Sequence, residues 1–461
     1  MREGDTRNGL LSLYRDTILP LADAYQATRR HLRWDPFRAS LFVGDQAYPL
    51  STLGRIYLVG AGKAGVPMAR AVIDVLHEDD RLWSRFVGGS VNVYREQARD
   101  SIEGVTLHPA DHPSPNEHSL AGARAAIELL STAGPDDLVL AIISGGGSSL
   151  LTLPREGMSL DDLRSTSRAL VAGGPSIREI NTVRKHLCRV KGGGLRMAAP
   201  EARFATLVLS DVIGDDLSSI ASGPTVQDHT TCADALSVLE SYSLLDRVPV
   251  SAQACLQRPC PEEDTWREIW KDAGRRTQTV IVASNKMVLE ALARQLEADN
   301  SRSPGLRVVL EHTPAVAPVA QVAAEHHHQC EQLLSAKGPP LLVLFGGEPV
   351  VTVPDGVRGT GGRMLHYALL SAQAIAGSGW TVFASGTDGI DGTAPAAGAV
   401  VDGRTLQQAG EVGLDAARYM EEFDSYGFFH ALERRGGERF LNVPGPTGTN
   451  VNDIMLWLHK T

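Results

Sequence analysis

Apolar runs and helix-like segments alternate along almost the whole chain. Continuous apolar runs such as RIYLVG (55–60) and LVLAIIS (138–144) are typical of strands that are covered on both faces. Stretches with helical periodicity lie between the runs, and one of them, SPNEHSLAGARAAIELLST (114–132), begins with a serine suited to capping. Strands that alternate with helices predict an α/β protein built on mostly parallel sheets.

The strand-like runs form two series, which predicts two domains. The first series ends near residue 240, and a less regular region with clustered proline and acidic residues, QRPCPEEDTW (257–266), follows it. The second series begins at residue 278. We therefore place the domains at residues 1–250 and 275–461, with the last residues either inside the second domain or packed back on the first. A length of 461 residues fits two or three domains of about 150 residues each.

Composition narrows the class of protein. Hydrophobic residues make up 43% and charged residues 21% of the chain, as in globular proteins with large cores. A formal net charge of −10 argues against nucleic-acid or membrane-surface partners, although local lysines and arginines still allow an anionic substrate. No apolar stretch approaches the ~20 residues of a membrane span, the N-terminus lacks the features of a signal peptide, and the five cysteines form no CxxC pair. We therefore predict a cytoplasmic protein without a zinc site or a disulfide framework.

Glycine-rich loops follow several of the predicted strands. They are GAGKAG (60–65), SGGGSS (144–149), SDVIGDD (210–216), FGGEP (345–349) and SGTDGIDGT (385–393). In open parallel sheets, ligands bind where loops leave the carboxyl ends of the strands. We therefore expect the ligand site among these loops.

The first loop fits the G-x-G-x-x-G pattern of dinucleotide sites, but this pattern alone is a weak signal. A nicotinamide site also needs an acidic residue about 20 residues later, and only Glu96 follows the next strand. The loop lacks the spacing of a Walker A motif. Lys63 stands beside the start of a predicted helix, where a lysine is well placed to hold or polarise a phosphate. The alternative is an ordinary strand-to-helix turn with a solvated lysine.

The second loop has the features of an anion-binding loop. The consecutive residues Gly145, Gly146 and Gly147 let backbone N–H groups approach a ligand, and Ser148 adds a hydroxyl donor. We expect no long helix directly after this loop, and we place the start of the next helix near Ser159, in a capping box. The alternative is a flexible turn.

Carboxylates cluster in the third and fifth loops. Asp211 directly follows a predicted strand, and its oxygens suit Mg²⁺, which usually takes one or two protein carboxylates plus substrate phosphates. The same carboxylate is also a candidate to accept a proton from a substrate hydroxyl. Asp215 is a second candidate metal ligand, although negative charge at a helix N-terminus explains it equally well. Asp388 is a further carboxylate of this kind, in the fifth loop.

Two further groups of residues have ordinary explanations. The segment INTVRKHLCRVKGGGLRMAAP (180–200) predicts a solvated basic helix, with phosphate binding by some of its cations as the alternative. These cations are Arg184, Lys185, Arg189, Lys191 and Arg196. The three histidines at 326–328 point in different directions around a predicted helix, so we predict a solvated helix end there and no metal site.

Seven long motifs, which cover nearly the whole chain, resemble those of one family. They are VGAGKAGVPMA, HPSPNEHSLAGARAAI, ISGGGSSLL, INTVRKHLCRVKGGGL, LSDVIGDDLSSIASGPT, SGTDGIDGTAPAAGAVVDG and GPTGTNVNDI. The chain resembles the glycerate 2-kinases with a C-terminal MOFRL domain, some of which are named hydroxypyruvate reductases. The resemblance implies an N-terminal Rossmann-like domain with a parallel sheet and a smaller C-terminal α/β domain, with a cleft between them.

The resemblance also implies an activity and a set of site residues. Such enzymes are ATP-dependent, Mg²⁺-requiring kinases that phosphorylate D-glycerate at its 2-hydroxyl to give 2-phosphoglycerate and ADP. Lys63, Asp211 and Arg363 match the lysine, aspartate and arginine implicated in that family. We expect both cations to neutralise charge on the transferring group and Asp211 to hold the metal. The other predicted ligand contacts are Gly145, Gly146, Gly147, Ser148, Lys191, Gly346, Gly347, Glu348 and Asp388.

One motif departs from the family pattern. The family usually reads GGRNQE in the C-terminal domain, whereas this chain reads GGRMLH (361–366). The departure leaves the acceptor open, with a related hydroxy acid or a longer sugar acid as alternatives to glycerate. Two other functions also stay open: an NAD(P)H-dependent hydroxypyruvate reductase, and a ligand-binding relative without catalysis. A homodimer is a candidate assembly.

Overall fold

The computed structural model describes residues 3–258, 261–298, 305–335, 338–354 and 356–460. Over these ranges the strands are β1 (Leu32–Asp35), β2 (Ser40–Val43), β3 (Gln46–Pro49), β4 (Ile56–Ala61), β5 (Phe86–Tyr94), β6 (Val105–Ala110), β7 (Leu138–Ile143), β8 (Arg203–Leu209), β9 (Thr277–Ala283), β10 (Arg307–Leu310), β11 (Leu341–Gly347), β12 (Trp380–Gly386), β13 (Gly398–Asp402), β14 (Leu441–Asn442) and β15 (Asp453–His459).

The chain divides into two compact units. The central unit consists of Ala24–Val282, and the terminal unit consists of Met1–Asp23 together with Ala283–Thr461. This division differs from the predicted domains, because residues 1–23 belong with the C-terminal part of the chain. Within the terminal unit, the Tyr14 hydroxyl donates to the Gly386 carbonyl at 2.7 Å, and Thr449 Oγ1 donates to the Ala22 carbonyl at 2.6 Å.

The central unit contains the parallel sheet that the apolar runs predicted. Its strand order is β6-β5-β4-β7-β8-β9, and β4 is parallel to both β5 and β7. Strands β4 and β7 are buried along their whole length, as expected of strands covered on both faces. A separate antiparallel sheet, β1-β2-β3, belongs to the same unit. The α-helices of the central unit are Ala24–His31, Gly65–Leu76, Asp80–Trp83, Glu117–Leu130, Gly147–Leu150, Leu160–Gly173, Ile177–His186, Gly194–Met197, Cys232–Ser241, Val250–Gln257 and Pro261–Arg275.

Local capping fixes the start of two helices in the central unit. Leu160–Gly173 begins at Ser159, whose hydroxyl accepts from the backbone N–H of Asp162 while the Asp162 carboxylate accepts from the backbone N–H of Ser159. The predicted capping box is therefore confirmed. Glu117–Leu130 begins at Asn116 and not at the serine of the predicted segment, because the Asn116 side chain accepts from the backbone of the third helical residue.

The terminal unit contains a mixed six-stranded sheet, which confirms a second α/β region. Its order is β10-β11-β15-β12-β13-β14, with β10 parallel to β11 and with β15 antiparallel to both β11 and β12. The last strand of the chain is therefore an inner strand of this sheet, and the alternative of a tail packed on the first domain is wrong. Its helices are Glu3–Leu13, the π-helix Tyr14–Ile18, Leu19–Ala22, Asn285–Ala298, Val319–Leu333, Arg363–Ala374, Thr405–Glu411, Ala416–Glu421 and Ser425–Gly436.

Two predicted placements are wrong. The run that begins near residue 278 was expected to open the second domain, but it forms β9 at the edge of the first sheet. His326 was expected at a solvated helix end, but it is only 6% exposed and stacks on Phe345 with ring centroids 3.7 Å apart. Its Nδ1 lies 2.7 Å from the Tyr367 hydroxyl, and burial lowers the pKa of His326 to about 3.

The basic segment 180–200 contributes to the core instead of forming a solvated face. Arg196 is fully buried, and its guanidinium donates to Thr277 Oγ1 at 2.7 Å and to the Ala273 carbonyl at 3.0 Å. Lys185 is buried, and its Nζ lies 3.5 Å from Asp228 Oδ1.

Across the described residues, no helix has both the length and the apolar character that crossing a membrane requires.

Candidate active site

Three loops of the central unit meet at one edge of its sheet. Strands β4, β7 and β8 are neighbours, and the loops that contain Lys63, Gly145 and Asp211 follow their carboxyl ends. Parallel strands bring such loops together, and the structure places Lys63, Gly145 and Asp211 at the same edge of the sheet. We call Lys63, the loop Gly145–Ser148 and Asp211 the glycine-loop cluster.

The members of the glycine-loop cluster are in close contact. The backbone N–H of Lys63 donates to the Gly145 carbonyl at 2.8 Å. A Cβ atom on Gly146 would lie 3.2 Å from Lys63 Cγ, and a Cβ atom on Gly145 would overlap the Asp211 carboxylate. The absence of a side chain at Gly145 therefore lets the carboxylate lie directly against the loop backbone.

Backbone N–H groups distinguish the two glycine loops. In GAGKAG, the N–H groups of residues 62–65 all donate to protein oxygens, including the Asn92 carbonyl and the Ser144 hydroxyl. Among the described residues, none accepts a hydrogen bond from the N–H of Gly145 or Gly146. The second loop is thus the one with donors left for an anionic ligand, and the first loop has none at these four positions to offer a dinucleotide.

Ser148 and Lys191 connect the glycine loop to neighbouring segments. The Ser148 hydroxyl lies 2.8 Å from the Ser222 hydroxyl. The Lys191 ammonium is buried and donates to the carbonyls of Ser148 and Leu151 and to the hydroxyl of Thr152. These three bonds use all three protons of the ammonium. This geometry makes Lys191 a support for the loop, and its predicted contact with a ligand stays a prediction.

His112 adds a neutral side chain beside the glycine-loop cluster. A Cβ atom on Gly146 would lie 3.3 Å from its Cδ2. Burial, and secondarily the positive charge of Lys63, lower the pKa of His112 to about 4. The imidazole is therefore uncharged at neutral pH and adds no positive charge to that of Lys63.

The loop after β8 holds its aspartates in different environments. Asp216 accepts from the hydroxyls of Ser218 and Ser219, at 3.1 and 2.7 Å, so it stabilises the turn that follows. The backbone N–H of Asp215, whose φ is 56°, donates to the Val212 carbonyl at 3.0 Å. Among the described residues, no group of three or more histidine, cysteine, aspartate or glutamate side chains could hold a metal ion. A metal at Asp211 would therefore need most of its ligands from substrate and water.

We expect Gly145→Ala to abolish activity and leave the protein folded. The added methyl group would overlap the Asp211 carboxylate and push it away from the loop. Steady-state kinetics and a thermal unfolding curve would measure the two effects separately. Gly274→Ala is the matched control, because a Cβ atom there meets nothing within 4 Å. A Gly145→Ala enzyme with normal turnover would show that the contact between Gly145 and Asp211 has no functional role.

The terminal unit has its own group of charged side chains around Arg363. Arg363 is the first residue of the helix Arg363–Ala374, and its guanidinium donates to both carboxylate oxygens of Asp453 and to Glu348 Oε1, the latter at 3.0 Å. We call Arg363, Glu348, Asp391 and Asp453 the arginine cluster. Asp391 accepts from the backbone N–H of Leu365 at 2.7 Å, at the start of the same helix.

Burial changes the protonation of the acids in the arginine cluster. Desolvation raises the pKa of Asp453 to about 7 even though Arg363 opposes the shift, and desolvation raises the pKa of Asp391 to about 6. The neighbouring carboxylates raise the pKa of Arg363, and they outweigh the opposing effect of burial. Arg363 is thus a fixed cation whose charge is compensated by acids that titrate near neutral pH.

The predicted contacts Gly346, Gly347 and Asp388 lie close to the arginine cluster. A Cβ atom on Gly346 would overlap the Asn285 side chain, and one on Gly347, at φ 154°, would overlap the Ala315 backbone. Close packing inside the protein therefore explains both glycines without a ligand. Asp388 faces Gly386, where a Cβ atom would lie 3.2 Å from Asp388 Oδ1 and 3.4 Å from Asp453 Oδ1.

The raised pKa of Asp453 makes a prediction about stability. The folded protein holds this proton more tightly than an unfolded chain with a carboxyl pKa of 3.8. The stability that the proton contributes is therefore complete below about pH 4 and is lost as the pH rises to 7. We expect the free energy of unfolding of the wild type, minus that of Asp453→Asn, to decrease between pH 4 and 7 in urea titrations. A difference that stays constant or increases with pH would contradict the assignment.

Comparisons with known proteins show which family this chain belongs to. A model described as a domain of unknown function, DUF4147, matches residues 11–257, and the MOFRL family model matches residues 341–453. The glycerate 2-kinase of Pyrococcus horikoshii is 36% identical over 435 residues, which cover 92% of this chain and 93% of that protein. The chain belongs to the glycerate 2-kinase family.

Two comparisons with Thermotoga maritima, one of sequence and one of structure, agree with this assignment. The D-glycerate 2-kinase of that organism is 36% identical over 415 residues, which cover 90% of this chain and 93% of that protein. The crystal structure of a glycerate kinase from Thermotoga maritima matches with a TM-score of 0.81 and 30% identity, and the match covers 99% of each chain. The similarity therefore extends over both units.

The motif that departs from the family pattern lies in the core of this family member. Met364 and Leu365 are fully buried, and His366 stacks on Phe423 with ring centroids 4.9 Å apart. Within residues 361–366, Arg363 is the residue whose side chain belongs to the arginine cluster. The departure from GGRNQE therefore replaces the Asn, Gln and Glu of the pattern by buried core residues next to the site and leaves Arg363 in place.

Sequence reasoning missed three residues that belong to these clusters or contact them. Asp453 lies in the motif GPTGTNVNDI, where an acid directly before an apolar strand was the available signal. Asn285 donates to the carbonyls of Val451 and Asp453, each at 2.9 Å, and it follows the apolar strand β9. His112 is the first residue of the motif HPSPNEHSLAGARAAI, but the motif did not show that His112 lies beside Gly146, because this contact depends on tertiary packing.

Proposed function

We propose that this chain is a glycerate 2-kinase, which transfers a phosphoryl group from ATP to the 2-hydroxyl of D-glycerate. It is an enzyme of the phosphotransferase class with an alcohol group as acceptor. The names of the 36% identical relatives from Pyrococcus horikoshii and Thermotoga maritima support the substrate, and the glycine-loop cluster supports the reaction type. ATP is the donor that fits a kinase of this family.

The observation that carries the proposal is that the N–H groups of Gly145 and Gly146 donate to no acceptor among the described residues. They lie beside the Lys63 side chain and the Asp211 carboxylate, so donors, a cation and an acid meet at one loop. Phosphoryl transfer needs positioning and charge stabilisation more than covalent chemistry, and fixed N–H groups supply both. Lys63 would neutralise anionic oxygens of the transferring group.

Mg²⁺ fits the chemistry of the glycine-loop cluster. Asp211 would hold the ion, with Asp215 in the same loop as a second candidate ligand. Such a bound ion neutralises phosphate charge, and it commonly takes one or two protein carboxylates together with phosphates and water. Activity should therefore disappear in EDTA and return with added magnesium.

Arg363 is the candidate cation of the terminal unit for the same reaction. Its hydrogen bonds to Asp453 and Glu348 use three of the five N–H groups of a guanidinium. Among the described residues, two N–H groups are therefore left for an oxygen of a ligand. We propose that Arg363 binds an anionic oxygen of the reacting substrates.

The alternative functions have less support. A nicotinamide-dependent reductase needs free N–H groups in GAGKAG, and the N–H groups of residues 62–65 already bond protein oxygens. A ligand-binding relative without catalysis was suggested by the GGRMLH departure, but those apolar residues are buried and Arg363 keeps its acidic partners. A cytoplasmic location and a homodimer stay predictions.

One experiment tests the proposed function. The purified full chain is mixed with ATP, magnesium and a panel of C3 and C4 hydroxy acids, ADP release is followed, and phosphorus NMR identifies the product. We expect ADP release with D-glycerate and a 2-phosphoglycerate signal. Oxidation of NADH by hydroxypyruvate without ATP, with no ADP release from any acid, would overturn the proposal in favour of a reductase.

A further inference from the structure

A large cavity lies inside the central unit next to the glycine-loop cluster. It has a volume of about 820 Å³, within the usual range for small-molecule sites. Gly146, Ser148 and Asp211 contribute to its lining, and the helices Leu160–Gly173 and Ile177–His186 supply much of the rest. The cavity is therefore larger than a three-carbon acid needs and extends beyond the glycine loop.

The lining of this cavity is cationic in an acidic protein. Five cationic side chains line it against two carboxylates, Asp211 and Asp216, whereas the whole chain carries a formal net charge of −10. The five cations are Arg164, Arg168, Arg178, Arg184 and Lys191. Such a local excess of positive charge favours anionic ligands.

Most of these cations already have partners within the protein. Lys191 bonds three oxygens of the glycine loop and its continuation. Arg164 donates to the Pro115 carbonyl and to Asp161, each at 2.8 Å, and Arg168 donates to the Ser165 hydroxyl at 3.1 Å. These contacts hold the wall of the cavity in place.

Arg184 differs from the other cations of the cavity because it is partly buried and also lacks a bonded partner, whereas Arg178, whose guanidinium likewise bonds no described residue, is exposed. Arg184 is half-buried, and no described residue accepts a hydrogen bond from its guanidinium or forms an ion pair with it. Desolvation lowers the pKa of Arg184, which shows that the positive charge is partly removed from water. A desolvated charge without a partner is unfavourable unless a ligand of opposite charge compensates it.

The position of Arg184 is fixed relative to the glycine loop. Arg178, Asn181 and Arg184 follow one another at spacings of three residues on the helix Ile177–His186, so they share one face, and all three line the cavity. Asn181 Oδ1 accepts from the Ser222 hydroxyl at 3.0 Å, and that hydroxyl lies 2.8 Å from the Ser148 hydroxyl. This chain of hydrogen bonds connects the helix face to the loop that would hold the phosphate.

We propose that Arg184, with Arg178 and Asn181 on the same helix face, forms an oxyanion subsite of the enzyme. The subsite binds the oxygens of a carboxylate or a phosphate, which come either from the hydroxy acid or from the nucleotide. The planar guanidinium matches such groups with two parallel hydrogen bonds, which a lysine cannot reproduce. This inference rests on the proposed function, since it assigns a binding residue for the same two substrates.

Two substitutions at Arg184 and one control test the subsite. Arg184→Met removes the charge, and Arg184→Lys keeps the charge but loses the paired donors. Arg189→Met is the control, because Arg189 is an exposed residue of the same basic segment that does not line the cavity. For each variant, KM is measured separately for D-glycerate and for ATP, and calorimetry measures the binding of D-glycerate and of ADP without turnover.

We expect both Arg184 variants to raise one KM and the matching dissociation constant by about 10- to 100-fold, and the control to change neither by more than twofold. A rise for D-glycerate identifies a carboxylate subsite, and a rise for ATP and ADP identifies a phosphate subsite. If Arg184→Met fails to fold, Arg184→Lys decides alone. If the Arg184 variants fold and bind D-glycerate and ADP as the wild type does, the subsite proposal is wrong. The kinase activity of the wild type would not be affected by that result. Absence of kinase activity in the wild type instead rejects the proposed function, and calorimetry still tests the anion site.

Discussion

Lys63→Ala should lower kcat by about 10³-fold or more and change the thermal unfolding midpoint by no more than a few degrees. A cation that stabilises charge on a transferring phosphoryl group contributes in this range in related chemistry. The side chain is only half-buried, and the contacts of its backbone with Gly145 and Gln97 survive the substitution. Coupled-enzyme measurement of ADP release with saturating D-glycerate gives the loss in kcat.

A surface lysine provides the comparison for Lys63. Lys271→Ala removes an exposed lysine of the same unit, whose ion pair with Glu268 is at the surface, and it should leave kcat unchanged. Addition of a small alkylamine to Lys63→Ala should restore part of the activity if the ammonium itself matters. Near-normal turnover by Lys63→Ala would remove this residue from the proposed function.

Arg363→Met should inactivate the enzyme and also destabilise it by about 3–5 kcal/mol. The cause of the destabilisation is Asp453, whose side chain is 2% exposed and which would lose its charged partner. Equilibrium urea unfolding measures the change in stability, and ADP release measures the change in activity. The two effects have separate origins, so a second substitution can separate them.

The double variant Arg363→Met/Asp453→Asn separates a structural from a functional role. Without Arg363 the pKa of Asp453 rises further, so folding near neutral pH must protonate this buried acid. Asparagine at 453 removes that cost, so most of the lost stability should return while activity stays absent. Arg418→Met is the control for loss of an exposed arginine, because its pair with Glu422 lies at the surface and should contribute less than about 1 kcal/mol. Recovery of activity together with stability would show that Arg363 only holds the fold.

The parts of this protein that depend on local pattern were predictable from the sequence. The buried strands β4 and β7 are continuous apolar runs, and the loops after them carry Lys63 and Gly145 at the expected sheet edge. The capping box at Ser159 was equally visible, because it needs only residues three apart. Topology then brought Asp211 beside Gly145, as the rule for parallel sheets requires.

The parts that failed depend on pairings between distant segments. The run at β9 reads as a strand in the sequence, but nothing local says which sheet it joins. His326 looked solvated because its burial comes from Phe345 and Tyr367, which lie on other elements. That Arg184 bonds no acceptor among the described residues is likewise a tertiary property, since a basic segment in the sequence does not show which cation has a partner.

The terminal unit takes its residues from both ends of the chain, and this affects how the protein is made. Tyr14 and Ala22 leave the ribosome early, yet their partners Gly386 and Thr449 are 372 and 427 residues further along. At about 5–20 residues per second, the wait is roughly 20–85 s. During that time Leu10, Tyr14 and Ile18 stay exposed, because the core that buries them in the folded protein has not yet been synthesised. The nascent N-terminal helix is therefore the segment that we expect to need protection by a chaperone while residues 24–282 fold.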